Sequence, residues 1–119
     1  MIKVLTIIKN LMDEMNISYT FDEWDNDIII AEKPQFIGEI SEIPTSDEDG
    51  KNEYSFILTG YDTNYEQLLS VSKELKSKFK TSSIIDNVVI KYDNTVTVVN
   101  QTNGVKQIQI NLKITDWSV

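Results

Sequence analysis

The reactive side chains of this 119-residue sequence are almost all carboxylates. The chain has 19 Asp and Glu residues and no His, Cys or Arg. Paired carboxylates can act as acid and base, and clusters of them can bind divalent cations. Without His, Cys and Arg, the chain lacks the side chain that titrates near neutrality, the thiolate nucleophile and the usual zinc ligands. It also lacks the guanidinium group, which binds phosphate through two parallel hydrogen bonds. Only an acid-pair enzyme or a metal-dependent enzyme is therefore left to consider.

Two acidic clusters are the candidates for such an enzyme. Asp47–Asp49 precede Gly50, but a helix–loop–helix calcium loop needs a bidentate Glu at the position where this sequence has Phe56. The acids of Asp22–Asp27 surround Trp24, and nothing in the local sequence indicates the burial that would make one of them an acid and another a base. We therefore expect no enzyme activity, no metal site and no cofactor.

The net charge of −8 bears on partners and location. It repels duplex DNA and anionic membranes, so we expect neither sequence-specific nucleic-acid binding nor membrane binding. The first residues lack the apolar core and small cleavage-site residues of a signal peptide, and the longest apolar run, Ile28–Ala31, is too short to span a bilayer. We expect a cytosolic protein with a single domain over residues 1–119.

Two segments have the apolar spacing of helices. Ile2–Met15 is predicted to be the first helix, with Asn16 as its C-terminal stop. The second helix is predicted to begin at a capping box formed by Thr63 and Glu66 and to end near Lys80. The predicted buried residues are Val4, Ile8, Leu11, Met12 and Met15 in the first helix and Tyr65, Leu68, Leu69, Ser72, Leu75 and Phe79 in the second.

Alternating apolar residues predict the strands. Gln35–Ile43 and Tyr54–Gly60 are predicted to pair across an acidic, solvated loop, after an irregular link, Ile17–Lys33, that contains one short strand. Val88–Tyr92 and Thr95–Val99 are predicted to be separate strands on either side of Asp93-Asn94. A final strand follows an Asn-Gly hairpin turn, Asn103-Gly104, and ends near Trp117.

The register of the last hairpin decides which side chains face solvent. A two-residue turn at Asn103-Gly104 would pair Val99 with Ile108 and Thr97 with Ile110. That pairing places two valines on the polar face of the sheet, Val96 and Val98. Together the elements predict the α+β class, with an antiparallel or mixed sheet, two helices on one side and the order α-β-β-β-α-β-β-β.

Protein contacts are the functional candidates that remain. The acidic loop projects beyond its hairpin, the two valines form a modest apolar patch, and tryptophan is enriched at binding hot spots. Strand propensity alone also accounts for the valines, and Trp117 could equally cap the core. The candidate interface consists of Ser46, Asp47, Glu48, Asp49, Lys51, Asn52, Val96, Val98 and Trp117.

Most of the chain resembles the small tail-terminator, or tail-completion, proteins of long-tailed bacteriophages and prophage elements. The resemblance rests on the element order, on the acidic loop with DGKNE, and on three segments: FIGEI (Phe36–Ile40), YSFILTG (Tyr54–Gly60) before a capped helix, and the closing IQINLKITDW (Ile108–Trp117). It implies a non-catalytic head–tail joining protein found in the virion tail, or in the bacterial host cytoplasm during assembly.

The resemblance also implies partners. These are further copies of the chain, in a hexameric ring, together with the tail-tube and neck proteins. A monomeric acidic inhibitor, either an immunity protein or a DNA mimic, is the alternative, because small size and acidity suit it as well. The acids concentrate in two loops, Asp22–Asp27 and Asp47–Glu53, whereas a mimic needs them spread along one face, and this favours the assembly protein.

Overall fold

The computed structural model describes residues 2–22, 34–44, 50–80, 83–102 and 105–117. Their elements follow the predicted order, and the α+β class is confirmed. The helices are α1 (Ile2–Glu14) and α2 (Tyr65–Phe79). The strands are β1 (Tyr19–Phe21), β2 (Gln35–Ile43), β3 (Asn52–Asp62), β4 (Ser83–Ile85), β5 (Val88–Thr102) and β6 (Val105–Asp116).

The six strands form one mixed sheet in the order β1-β2-β3-β6-β5-β4. β1 runs parallel to β2, and every other neighbouring pair is antiparallel. The central ladder is regular, since β3 pairs with β6 from Asn52 to Asp62 without a shift. Within the described parts of the chain, the three-residue strands β1 and β4 are the two outermost strands of this sheet.

One face of the sheet carries the core, and both helices pack against it. Alternate residues of β3 and β6 are buried, because side chains along a strand point to opposite faces in turn. The helices add Val4, Ile7, Ile8, Leu11, Met12, Leu68, Leu75 and Phe79 to this core. Neither of the two described helices covers the opposite face, where most side chains are half-buried or exposed. We call this second surface the open face.

The first helix ends as predicted. Asn16 follows it with a φ of 58°, in the left-handed region that Asn tolerates better than most residues. Four of the five predicted buried residues are buried, Met15 is only partly so, and Ile7 is a buried residue that the prediction missed. β1 falls within the predicted link, whose apolar run Ile28–Ala31 lies outside the described residues.

The predicted capping box at the start of α2 is wrong. Asn64 is the N-cap, and its side-chain oxygen accepts the Glu66 N–H at 2.9 Å. Asp62 Oδ1 in turn accepts the Asn64 N–H at 3.1 Å. The helix therefore begins one residue later than a Thr63 cap requires, and Asn64 has the extended backbone of a cap. Leu69 was also wrongly predicted to be buried, since the buried stripe follows Leu68, Ser72, Leu75 and Phe79.

The last third of the chain differs from the predicted meander. β4 and β5 are joined by Asp86 and Asn87, both with positive φ, and such a two-residue turn matches the twist of a hairpin. The predicted turn at Asp93-Asn94 is wrong, because β5 runs through it. Tyr92 pairs with Leu112 and Asn94 with Asn111, so one extra residue is accommodated as a β-bulge.

The predicted register of the last hairpin is also wrong. Thr97 pairs with Ile108, where Val99 was expected, because a second irregularity lies between Val98 and Thr102. Val98 pairs with Gln107 and Thr102 pairs with Val105, so four residue steps along β5 lie opposite only two steps along β6. A shift by an even number leaves Val96 on its predicted face.

Candidate functional site

Three of the predicted interface residues come together at one end of the sheet. Asn52 pairs with Asp116 at the end of β6, and the next residue is Trp117. Lys51 Nζ lies 5.1 Å from the centre of the Trp117 ring, close enough for a cation–π interaction. The same Nζ lies 3.3 Å from a carboxylate oxygen of Glu53. We call Lys51, Asn52 and Trp117 the tryptophan end.

The backbone of Trp117 is fixed while its ring stays in contact with solvent. Its N–H donates to the carbonyl oxygen of Asn87 at 3.0 Å, which ties the chain to the β4–β5 turn. The side chain is 51% exposed, so it does not cap the core. An aromatic ring held in place by its backbone and partly covered by a lysine can contact another protein with little loss of conformational entropy.

The tryptophan end does not include the remaining predicted residues. Val96 pairs with Gln109, seven residues before Asp116 on β6, which places it roughly 23 Å away at about 3.3 Å per residue. It is 45% exposed on the open face, as its predicted orientation requires. The side chain of Val98 and the whole of Ser46, Asp47, Glu48 and Asp49 lie outside the described residues.

The open face is mainly polar near Val96. Gln109 Nε2 donates to Asn111 Oδ1 at 3.2 Å, and Asn111 Nδ2 donates to Asn94 Oδ1 at 2.9 Å. These amides bond to one another across β6 and β5, which partly satisfies them without a ligand. Among the described side chains, the open face near Val96 is therefore a mainly polar, solvated surface.

Exposed apolar side chains lie at both outer strands of the sheet, and none of them is among the predicted interface residues. Ile84 on β4 is 71% exposed and Ile85 is also exposed. Beside the opposite strand, β1, Phe21 is exposed and Ile2 of α1 is 82% exposed. The sequence signal for β4 is the Ile84-Ile85 pair directly before the Asp86-Asn87 turn, a short apolar run that ends at turn residues.

A groove lies between α1 and β1. Its volume is about 610 Å³. The residues that line it are Ile2, Leu5, Thr6, Lys9, Tyr19, Thr20 and Phe21. The helix residues recur at intervals of three and four, so they form a second stripe on α1 beside the one that faces the core. This groove is mostly apolar, and its one lysine is paired with Asp13 at 3.0 Å.

Three tyrosines have a pKa above the ordinary value of the side chain. Burial raises the pKa of Tyr19 to about 12. Burial also raises the pKa of Tyr54, with additional contributions from the charges of Glu42 and Asp116, and it raises the pKa of Tyr61 together with the charge of Glu39. All three groups are neutral at physiological pH, so they stabilise the fold as uncharged side chains.

Alkaline pH is expected to destabilise the protein through Tyr19. Because its folded-state pKa is raised above the ordinary value of 10.0, its contribution to the free energy of unfolding is complete below about pH 10 and is lost as the pH rises toward 12. Tyr19→Phe should make the fall in the free energy of unfolding with rising pH smaller. It should not abolish the fall, since Tyr54 and Tyr61 still titrate with a raised pKa. Urea unfolding of both proteins between about pH 8 and pH 11.5 measures the difference. If the free energy of unfolding fell equally steeply with pH in both proteins, the assignment of this loss to Tyr19 would be wrong.

The same variant is expected to do no harm at neutral pH. No described residue hydrogen-bonds the Tyr19 hydroxyl, although the group is buried. Removing an unpaired buried hydroxyl should leave the free energy of unfolding unchanged or raise it by about 1 kcal/mol. The packing of the ring near Phe56, with centroids 6.3 Å apart, is retained.

Within the described residues, no group of three or more Asp and Glu side chains is arranged to hold a metal ion. None of the described helices is long and apolar enough to cross a membrane. A search of protein-family models finds no match to the chain, and a search of curated proteins finds none either. Function is therefore inferred from the surfaces described above.

Proposed function

We propose that this protein is a structural assembly protein of a phage or prophage tail. In this proposal, identical subunits form a ring that ends the tail tube and joins it to the neck. The observation that carries the proposal is the presence of exposed apolar side chains at both outer strands of one sheet. Ile84 and Ile85 lie on β4, and Ile2 and Phe21 lie beside the groove at β1.

The positions of the two apolar surfaces favour a ring over a two-fold dimer. A two-fold dimer buries the same surface on both subunits, whereas contact between two different surfaces of identical subunits is a head-to-tail contact. A head-to-tail contact that repeats with a constant rotation either closes into a ring or continues as a filament. A hexamer is the closed form that the resemblance to tail terminators implies.

The charge of the chain suits a ring through which DNA passes. The net charge is −8 and every positive side chain is a lysine. Protein affinity for duplex DNA comes largely from lysine and arginine contacts to phosphates. A lumen with few such contacts lets DNA move through it without being retained.

The tryptophan end is the proposed contact with the tail-tube or neck protein. Trp117 is half exposed, and Lys51 lies over its ring. Tryptophan is one of the residue types that are enriched at the hot spots of protein interfaces. This end adjoins the β4–β5 turn, because the Trp117 N–H donates to the carbonyl oxygen of Asn87.

Light scattering coupled to size-exclusion chromatography tests the ring across a concentration series. We expect one closed oligomer of defined mass, with ring-shaped particles in electron micrographs. Adding the protein to polymerising tail-tube protein should shorten the tubes and place a ring at one end of each. A chain that stays monomeric and leaves tube length unchanged would refute the proposal and favour a monomeric acidic inhibitor.

A further inference from the structure

The two outermost strands of the sheet cover only part of the strands beside them. β1 pairs with residues 36–38 of β2, and β4 pairs with residues 88–90 of β5. In the part of the chain that the structure describes, no strand lies on the outer side of β2 along residues 39–43 or of β5 along residues 94–98. The sheet therefore has a step at each edge, where backbone hydrogen-bonding groups of a long strand face away from the sheet.

β1 directs the backbone of two residues to its outer side. The Asp22 N–H donates to the carbonyl oxygen of Gly38 at 2.9 Å, so Asp22 faces β2. Because the backbone groups of successive strand residues point to opposite sides, Phe21 faces outward, as does Tyr19 two residues earlier. These two residues can form backbone hydrogen bonds with a further strand.

The uncovered part of β5 presents two residues in the same way. The Trp117 N–H donates to the turn that joins β4 and β5, so the odd-numbered residues of β6 face β5. Val96 pairs with Gln109 and therefore faces β6. Its neighbours Thr95 and Thr97 direct their backbone groups outward. The bulge of β5 lies before this stretch, whose ladder with β6 is regular.

These outward-facing residues of β1 and β5 lie at the same height of the sheet. Across the ladders of β2, β3 and β6, Tyr19 is level with Thr97 and Phe21 is level with Thr95. The same ladders show that β1 and β5 run in opposite directions. β1 of one copy, placed beside β5 of a second copy without displacement along the strands, would form an antiparallel ladder in which both pairs exchange backbone hydrogen bonds.

The same placement fills the step beside β2. Ile84 of β4 is level with Ile43 of β2, and its backbone faces outward because it precedes the residue pair that closes the two-residue turn. Glu42 lies an even number of residues after Gly38, so its carbonyl oxygen also faces outward. The Ile84 N–H of the second copy can donate to this oxygen, and the side chains of Ile84 and Ile43 then meet on the open face.

On the core face, the placement brings together exposed apolar side chains. Ser72 Oγ lies 2.8 Å from Thr95 Oγ1, which holds α2 beside β5. Leu69 lies one turn before Ser72 on the same side of α2 and is 47% exposed. Phe21 of the first copy, which is also exposed, would lie opposite Thr95 and beside this side of α2. Burying both side chains would stabilise the contact.

The charges near these strands are of both signs and do not select the partner. Lys9 and Asp22 lie beside β1, Lys76 and Asp93 lie at β5, and Asp86 directly follows β4. The choice of a second copy rests on the backbone. One head-to-tail contact uses the outward groups of β1, β4 and β5 together, whereas two β5 strands joined by a two-fold axis would leave those of β1 and β4 without a strand.

We propose that β1 of one subunit pairs with β5 of a second copy of this chain, so that neighbouring subunits share one continuous sheet. β4 of the second copy then lies beside β2 of the first. We call this contact the sheet joint. Main-chain hydrogen bonds give an added strand its affinity. This inference rests on the proposed ring, because a joint between two different edges is head-to-tail and repeats at every subunit boundary.

The absence of cysteine makes a clean cross-linking test possible, because any introduced thiol is the only one in the chain. Thr20 is level with Val96, so the two are opposite each other in the sheet joint, with Cβ atoms about 4.5–5.5 Å apart. Val96→Cys is mixed with a mass-tagged Thr20→Cys protein and treated with a short bis-maleimide. We expect dimers that each contain one tagged and one untagged subunit.

A matched control uses a thiol away from the edges. Lys113 is exposed on the same face as Val96 but lies on the central strand β6. Lys113→Cys in place of Val96→Cys should give at least about tenfold less of the mixed dimer, because no added strand can lie beside it.

Two results would overturn the sheet joint. Cross-linking of Val96→Cys to itself as the main product would place β5 against β5 across a two-fold axis. A yield of mixed dimer no higher than the Lys113→Cys control would show that β1 and β5 of different copies do not meet.

A double variant, Thr20→Cys with Val96→Cys, separates the sheet joint from the tail function. It should give a ladder of cross-linked products that ends at the ring. A ladder from a protein that does not cap tail tubes would support the sheet joint and refute the tail function. Rings that cap tubes but give no ladder would refute the sheet joint alone.

Removal of one outward N–H gives an independent measurement. Thr97→Pro deletes a donor that faces away from β6, so the ladder within the subunit keeps its hydrogen bonds. It should raise the dissociation constant of the assembly by at least about tenfold, because the ring of proline also occupies the place of the added strand. Thr97→Ala keeps the N–H and should stay within about threefold of the parent. Equal effects of the two variants would count against the sheet joint, and circular dichroism confirms that both remain folded.

Discussion

Replacing Gly60 with alanine is expected to lower the free energy of unfolding by about 2–3 kcal/mol, as over-packing of a core does. Gly60 lies on the core face of β3 and pairs with Phe36 of β2. An alanine Cβ would lie 2.3 Å from Phe36 Cε1 and 2.8 Å from Cδ1. Phe36 is completely buried, so its ring cannot move away without displacing other core side chains. Urea unfolding followed by circular dichroism measures the change.

Two further variants separate the steric effect from the loss of glycine itself. Gly50→Ala places a Cβ in open space at a φ of 65°, so its cost is conformational and should be about 1 kcal/mol. Phe36→Leu removes the ring atoms that the new Cβ would meet. Combined with Gly60→Ala it should cost less than the sum of the two single changes, and it should have no such coupling with Gly50→Ala. If the costs of Gly60→Ala and Phe36→Leu simply added in the double variant, the predicted overlap between the new Cβ and the Phe36 ring would be contradicted.

The parts of the fold that are set by local pattern were predicted from the sequence. β2 begins and ends at the predicted residues, and α1 and α2 differ from their predicted bounds by a residue or two. The apolar period of a helix or strand is repeated over several turns or residue pairs, so one atypical residue does not obscure it. The stop at Asn16 is equally local, because it depends on the backbone preference of one residue type.

The errors arose where pairing between distant strands decides the outcome. Asp93-Asn94 has the composition of a turn, yet its backbone is part of a ladder with β6 and is accommodated as a bulge. The shift between Val98 and Thr102 depends likewise on which β6 residues lie opposite. Turn propensities carry no information about the partner strand, so single-sequence reasoning cannot predict either irregularity.

The candidate site was predictable in part. Trp117 was identified by residue type, but its position beside Lys51 follows from the β3–β6 register, which puts Asn52 opposite Asp116. The exposure of Ile84 follows from the position of β4 at the edge of the sheet, and strand order is not encoded in any local pattern. Exposed apolar residues on outer strands are therefore difficult to predict from local sequence patterns.

Leu75→Ala is expected to cost about 3 kcal/mol, and Leu69→Ala less than about 1 kcal/mol. Both leucines lie on α2 and both fit its predicted apolar stripe, but Leu75 is completely buried while Leu69 is 47% exposed. The first change leaves a cavity in the core, whereas the second removes a half-solvated side chain and gains the higher helix propensity of alanine.

The pair of variants has the same chemistry on the same helix, so unfolded-state and propensity effects largely cancel in the comparison. Thermal and urea unfolding of both proteins measures the difference. A loss of about 3 kcal/mol is a large fraction of the stability of a domain this size, so the melting temperature of Leu75→Ala should fall clearly below that of Leu69→Ala. Equal losses in the free energy of unfolding would contradict the packing of α2, in which Leu75 is buried and Leu69 is half exposed. They would instead agree with the sequence pattern, which predicts that both leucines are buried.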